Sequence, residues 1–251
     1  MARQKGIIKL KGTIGDITFY KSRDGHLARE KGGIDKDRIY NDPVFQRTRE
    51  NGAEFGRAGK AGKVLRTALR PLLQNAADGR MVSRLTGEMM KVVKADAVSE
   101  RGLRNVLDGE LVLLQGFEFN INGKLRTTLF APYTPTIDRV TGEANVNIPS
   151  FVPINMIATP GGATHFKLVS AGVEIDFENE VYTVLTNQSA DLALDATPTA
   201  ELDLTAALPA ASTKPLFLAL GIEFYQQVNG NLYSLKNGAY NALALVTIDG
   251  V

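Results

Sequence analysis

The 251-residue chain has no cysteine and no tryptophan, and only two histidines. Without thiols it has no disulfide staple, no thiolate zinc site and no cysteine nucleophile. No run approaches the roughly 18 apolar residues of a spanning helix, and MARQKGIIKLKG lacks the apolar stretch of a secretory signal. The expectation is therefore no membrane insertion and no signal peptide. The expected location is cytoplasmic, or within a particle assembled there. His26 and His165 belong to no HExxH or His-x-His set, and no GxSxG elbow is present. With no catalytic constellation, no metal set and no cofactor motif, the sequence reads as a non-enzyme.

What is present is a globular balance, 44% hydrophobic and 22% charged, which supplies enough apolar surface for a core. The net charge of +2 conceals an asymmetry. Residues 1–70 carry 17 Lys/Arg against 8 Asp/Glu, and the remainder carries 12 against 19. Segments of opposite sign fit contact of the basic part with nucleic acid. They fit equally a basic segment of one copy lying on the acidic face of the next. The second reading accounts for both halves and is favoured.

Residues 41–74 predict one long amphipathic helix, with Asp42 as N-cap and Pro43 at the first helical position. Val44, Thr48, Asn51/Gly52, Phe55, Ala58, Gly62, Leu65, Leu69 and Leu72 recur along it at steps of three or four, and Gly52, Phe55, Gly56, Gly59, Gly62 and Leu65 form a candidate assembly face. Each interior glycine disfavours a helix by about 1 kcal/mol relative to alanine, so several of them argue for close backbone packing. Arg47, Arg49, Arg57, Lys60, Lys63, Arg66 and Arg70 form a candidate basic contact surface on the same helix. The run Gly56–Lys63 resembles a phosphate loop but lacks the glycine spacing and the hydroxyl residue after the lysine, and it falls inside a helix.

Around this helix the pattern changes twice. Residues 6–30 alternate as a hairpin with turns at Gly12–Gly15 and at Asp24-Gly25, and a polar linker from Gly32-Gly33 to Asp42 follows. A second helix is expected over residues 79–97 and a shorter one over 99–107. From Leu111 the period becomes two. Strand-like runs there, including 111–119, 125–130, 144–148, 164–170, 173–177 and 181–186, are punctuated by Asn122-Gly123, Asn229-Gly230 and Asn237-Gly238, each read as a hairpin turn. Eight or nine short strands predict an antiparallel, Ig-like sandwich without a disulfide. Glu174, Asp176, Glu178 and Glu180 alternate with apolar or neutral residues and read as a solvent-facing acidic strand, an acceptor for the basic segment of another copy.

The opening GTIGDITFYKSRDGHLAREKGG, with Gly12, Gly15, Tyr20, Gly25 and Arg29, followed by DPVFQRTRENGAEFGRAGKAGKVLR, resembles an uncharacterised family of Bacteroidota proteins. The resemblance implies an N-terminal Gly-rich hairpin and helical segment before a C-terminal β-sandwich. It implies no catalytic or binding residues, and it fits a protein that builds something. The combined expectation is an α+β chain with a basic hairpin-plus-helices assembly module over residues 1–108 and an acidic antiparallel sandwich over 109–251. It would act as a homo-oligomeric structural protein, as in a phage-like particle or filament. The alternatives are a sandwich that binds glycan or protein, for which clustered exposed rings among Tyr133, Tyr182, Tyr225, Tyr233 and Tyr240 would argue, and nucleic-acid binding through the basic segment.

Overall fold

The computed structural model of the chain describes residues 2–30, 33–34 and 36–250. The fold is mixed α+β with antiparallel sheets throughout. The chain divides into two compact units, Met1–Arg49 and Glu50–Val251. The boundary expected at 108/109 is not where it divides. Helical residues before 108 and strand residues after it share one apolar cluster, so the helices and the large sheet are parts of one body.

The first unit is a four-stranded sheet of β1 (Ala2–Arg3), β2 (Gly12–Ile14), β3 (Ile17–Ser22) and β4 (Gly25–Glu30), in the order β1-β4-β3-β2. Its hairpins are tight. Ile14 opposes Ile17 across Gly15-Asp16, and Ser22 opposes Gly25 across Arg23-Asp24. Gly15 at φ +55° and Gly25 at φ +107° supply the left-handed conformations these turns need. Part of the expected linker is instead a short helix, α1 (Lys36–Asn41); Gly32 lies outside the described residues. Asp42 caps the next turn as expected, with the Val44 N–H donating to its side chain at 3.0 Å.

The second unit has three layers. Its helical layer holds most of α2 (Gln46–Ala68), then α3 (Arg70–Leu73) and α4 (Met81–Ala95). The expected single helix breaks at Leu69, where Pro71 has no N–H to extend the ladder. The expected helix at 99–107 is absent. Asp96 accepts the N–H groups of Val98, Ser99 and Asn105 and winds that segment into turns. Residues 111–130, expected as two strands, form a 3₁₀ turn at Leu111–Leu114 and a single helical turn, α5 (Leu125–Thr128).

Nine strands follow among the described residues. β5 (Thr134–Asp138), β6 (Glu143–Ile148) and β10 (Leu202–Ala207) make a three-stranded sheet in the order β10-β6-β5. A short helix, α6 (Pro153–Met156), separates β6 from the six-stranded sheet. That sheet is built on β7 (His165–Asp176) and β11 (Leu216–Val228), with β8 (Val181–Gln188) and β9 (Leu192–Ala193) pairing β7, and β12 (Asn231–Ser234) and β13 (Ala242–Asp249) pairing β11. Of the three Asn-Gly pairs, Asn229-Gly230 alone closes a two-residue hairpin, Val228 opposing Asn231. Asn122-Gly123 leads into α5. Asn237-Gly238 redirects the chain from β12 to β13, both of which pair with β11.

Alternation along β7 and β11 explains the layers. Val169, Ala171, Val173, Ile175, Phe217 and Ala219 face the helices and pack with Ala58, Leu65, Leu85 and Met89. Phe166, Leu168, Leu218, Leu220, Ile222 and Phe224 face the small sheet and pack with Val146, Ile148 and Leu204. A strand covered on both faces reads as the continuous apolar run Leu216-Phe217-Leu218-Ala219-Leu220. Gly172 lets the two sheets approach. A Cβ there would lie 2.9 Å from the Ala206 methyl carbon.

Candidate functional site

The three residue sets singled out in the sequence are dispersed by the fold. On α2, the buried stripe is Glu54, Ala58, Ala61, Gly62, Val64, Leu65 and Ala68. Gly62 and Leu65 therefore belong to the core, with Leu85 and Met89 side chains 3.7 Å from a Cβ built on Gly62. Gly52, Phe55 and Gly56 face outward, Gly59 is half-buried, and a Cβ at any of the three glycines meets open space. The six expected face residues thus lie on two sides of the helix. Only the outward side, with Phe55 59% exposed, is available to a partner.

The basic set is not a continuous stripe. Arg57 donates to the carbonyls of Gly102 and Arg104 at 2.8 and 3.0 Å. Arg49 donates to those of Ile39 and Asp42, and Arg66 to that of Gly62. Lys60 pairs with Glu180 of the same chain at 2.7 Å, and Lys63 adds to the positive field there. Arg47, Lys63 and Arg70 are exposed. The Gly56–Lys63 run lies inside α2, where its N–H groups belong to the helical ladder rather than to a loop.

The acidic set is also redistributed. The strand ends at Asp176, whose side chain accepts the N–H groups of Glu178 and Asn179 and turns the chain back. Glu178 and Glu180 therefore sit in a turn, not on the strand, and Glu180 adopts φ +57°. Glu174 accepts a hydrogen bond from the Ser212 hydroxyl. Asp176 pairs with Lys214 at 2.8 Å. The Lys214 hydrogen bond holds the Asp176 carboxyl below the usual range, and the same bond, reinforced by Glu178 and Glu174, holds the Lys214 ammonium above its usual value. Two adjoining cavities of about 610 and 260 Å³ share Asp176, Thr213 and Lys214 and form one groove. It is lined by Glu110, Glu174, Asp176 and Glu178 and by the apolar Leu107, Val181 and Tyr182.

A third cavity, about 410 Å³, is bordered by Asn75, Asn187, Gln188, Glu223 and Tyr225. Glu223 is buried and accepts from Asn75 Nδ2 at 2.9 Å and from the Tyr225 hydroxyl at 2.6 Å. Burial, then that hydrogen bond, pushes the Tyr225 phenol up. The carboxylate is thereby fixed between an amide and a phenol and has no second carboxylate beside it in the cavity lining. Among the described residues no group of three His, Asp or Glu is placed to hold a metal ion. Tyr182, Tyr225 and Tyr240 line three different cavities, so the tyrosines do not assemble into one stacking platform.

Sequence reasoning missed an exposed apolar feature in the first unit. None of its described residues is buried. Cross-strand register puts Ile14, Ile17, Phe19 and Ala28 on one face, bordered by Lys21, His26 and Glu30, and Thr13, Thr18, Tyr20, Leu27 and Arg29 on the other, where the Arg29 guanidinium lies 5.5 Å from the Tyr20 ring centre. Between β1 and β2, Ile7 is fully exposed and Ile8 80% exposed. Ile8-Lys9-Leu10-Lys11 alternates like a strand, but the run forms the loop between β1 and β2, and only the adjacent Ile7-Ile8 pair breaks the alternation.

No model of a protein family matches the chain, and no curated protein matches it. Two solved structures give weak likenesses. One comes from work on pH-induced modulation of Streptococcus parasanguinis adhesion by Fap1 fimbriae, at 11% identity and a TM-score of 0.23, covering 47% of this chain and 81% of that one. The other is the human F-spondin reeler domain (fragment 1), at 12% identity and a TM-score of 0.16, covering 49% of this chain and 97% of that one. Likeness this slight carries no argument about fold or function. Among the described residues no helix is long and apolar enough to cross a membrane.

Proposed function

We propose that the chain is a non-enzymatic structural subunit that self-assembles through its first unit, as in a phage-like particle or filament. One observation carries this reading. The four-stranded sheet of residues 2–30 buries none of its residues, yet presents Ile14, Ile17 and Phe19 on one face. A small sheet without an apolar partner is marginal in water, so its face is built to be covered. The outward Gly52–Phe55–Gly56 side of α2 adds a second surface on which another backbone can lie close. The charge split supports a copy of the same chain as that partner. Residues 1–49 carry 12 Lys/Arg against 6 Asp/Glu, and residues 50–251 carry 17 against 21.

The other readings have less support. Nucleic-acid contact through the helix loses Arg49, Arg57 and Lys60 to intrachain partners. Glycan binding lacks a shared aromatic platform. The test is mass in solution by light scattering, for the full chain and for residues 50–251, at about 0.05 and 1 M salt, where screening lengths differ several-fold. The expected result is an assembly of the full chain that weakens in high salt and is lost on truncation. A full chain that stays monomeric in both salts overturns the proposal.

A further inference from the structure

The Gln4–Lys11 loop is a held structure rather than a slack one. Gln4 accepts the Leu10 N–H at 2.8 Å, donates to the carbonyls of Leu10 and Leu27, and its own carbonyl accepts from Lys9 Nζ. The loop thus keeps two adjacent isoleucines in water, flanked by Lys5, Lys9 and Lys11. Burying them is the largest apolar gain this part of the chain has left to make. The groove beside Lys214 has the complementary chemistry. Leu107 and Val181 are exposed apolar walls, Val181 sharing its sheet face with Asp176, and Glu110 and Glu178 are exposed carboxylates on its rim. With Glu174 and Asp176 set against the single Lys214, the groove is net negative where the loop is net positive.

We propose that the Ile7–Ile8 tip of one copy seats in the groove between Leu107 and Val181 of a second copy, with Lys9 and Lys11 meeting Glu110 and Glu178. The inference rests on the self-assembly reading and names the surfaces that it uses. Because loop and groove are different patches, the contact either closes reciprocally between two copies or propagates head to tail into a ring or an open filament. The apolar pair provides affinity, and the lysines steer and orient the approach.

The absence of native cysteine makes the test clean. Ile8→Cys and Val181→Cys each replace an exposed side chain, so both variants fold. The two single variants are mixed under mild oxidation, and disulfide-linked dimers are identified by mass. The mixed Ile8→Cys/Val181→Cys dimer is expected to form at least about tenfold faster than either same-variant dimer. Adding Lys9→Glu and Lys11→Glu to the loop variant should abolish that preference. Glu110→Lys with Glu178→Lys in the groove variant should restore it. A full chain that assembles by light scattering but gives no mixed preference overturns this seat and leaves self-assembly standing. A full chain that stays monomeric overturns both. Capture of the wild-type chain, but not of Ile7→Asp/Ile8→Asp, by vesicles of anionic phospholipid, with no mixed dimer, overturns the seat in favour of a membrane surface.

Discussion

Asp96 shows how one side chain decides the course of a segment. It is 4% exposed and satisfies three backbone N–H groups, and through them the turns of residues 97–105. Burial alone would raise its pKa, but the N–H donors of Ser99, Asn105 and Val98 outweigh it and hold the carboxyl at about 2. The folded value lies below the unfolded value of about 3.9, so its contribution is complete above about pH 5 and is lost as pH falls toward 2. Asp96→Asn keeps one acceptor oxygen and removes the titration. We expect a lower melting temperature at neutral pH and a shallower loss of stability between about pH 4 and pH 2, read by thermal scans across that window. Asp78, Asp138, Asp176 and Asp203 are also lowered and continue to drive the remaining acid loss.

Among the elements, α2 separates what glycine does from where it stands. Gly62 meets Leu85 and Met89, whereas Gly52, Gly56 and Gly59 meet nothing. In the isolated chain, Gly56→Ala and Gly59→Ala each remove unfolded-state freedom without a clash, and each is expected to raise stability by about 0.5–1 kcal/mol in urea unfolding. If that side of α2 packs against another backbone, the same pair of methyl groups obstructs the approach. The double variant should then be more stable as a monomer and weaker as an assembly. A double variant destabilised as a monomer would contradict the open geometry of these positions. The contrast with Gly142 is instructive. It sits at φ +78°, and a Cβ there would lie 2.2 Å from the Leu208 carbonyl oxygen, so alanine at that turn has no room.

The molecule as a whole places both apolar clusters between residues 58 and 248, on the two faces of the six-stranded sheet. Residues 50–251 therefore contain a complete core, and we expect them to unfold in one cooperative transition by circular dichroism and by tyrosine fluorescence. A gradual loss of structure, or separate transitions for the helical and β signals, would show that this core does not stand by itself. The sequence by itself determined the composition of the elements: a capped, glycine-bearing helix, an amphipathic second helix, a basic hairpin at the start and an antiparallel β region with the Asn229-Gly230 turn. These are local properties, set by periodicities of 3.6 and 2 and by residues that tolerate positive φ. Tertiary structure alone decided which glycines of α2 are covered, because Gly62 differs from Gly52 and Gly56 only in having Leu85 and Met89 above it. It also joined the helices to the sheet in one core, ended the acidic strand at Asp176, and brought Glu110, Glu178, Val181 and Lys214 around one groove. The shared core and the groove depend on contacts far apart in the chain that no local pattern encodes, whereas the strand end is a local turn on the Asp176 carboxylate.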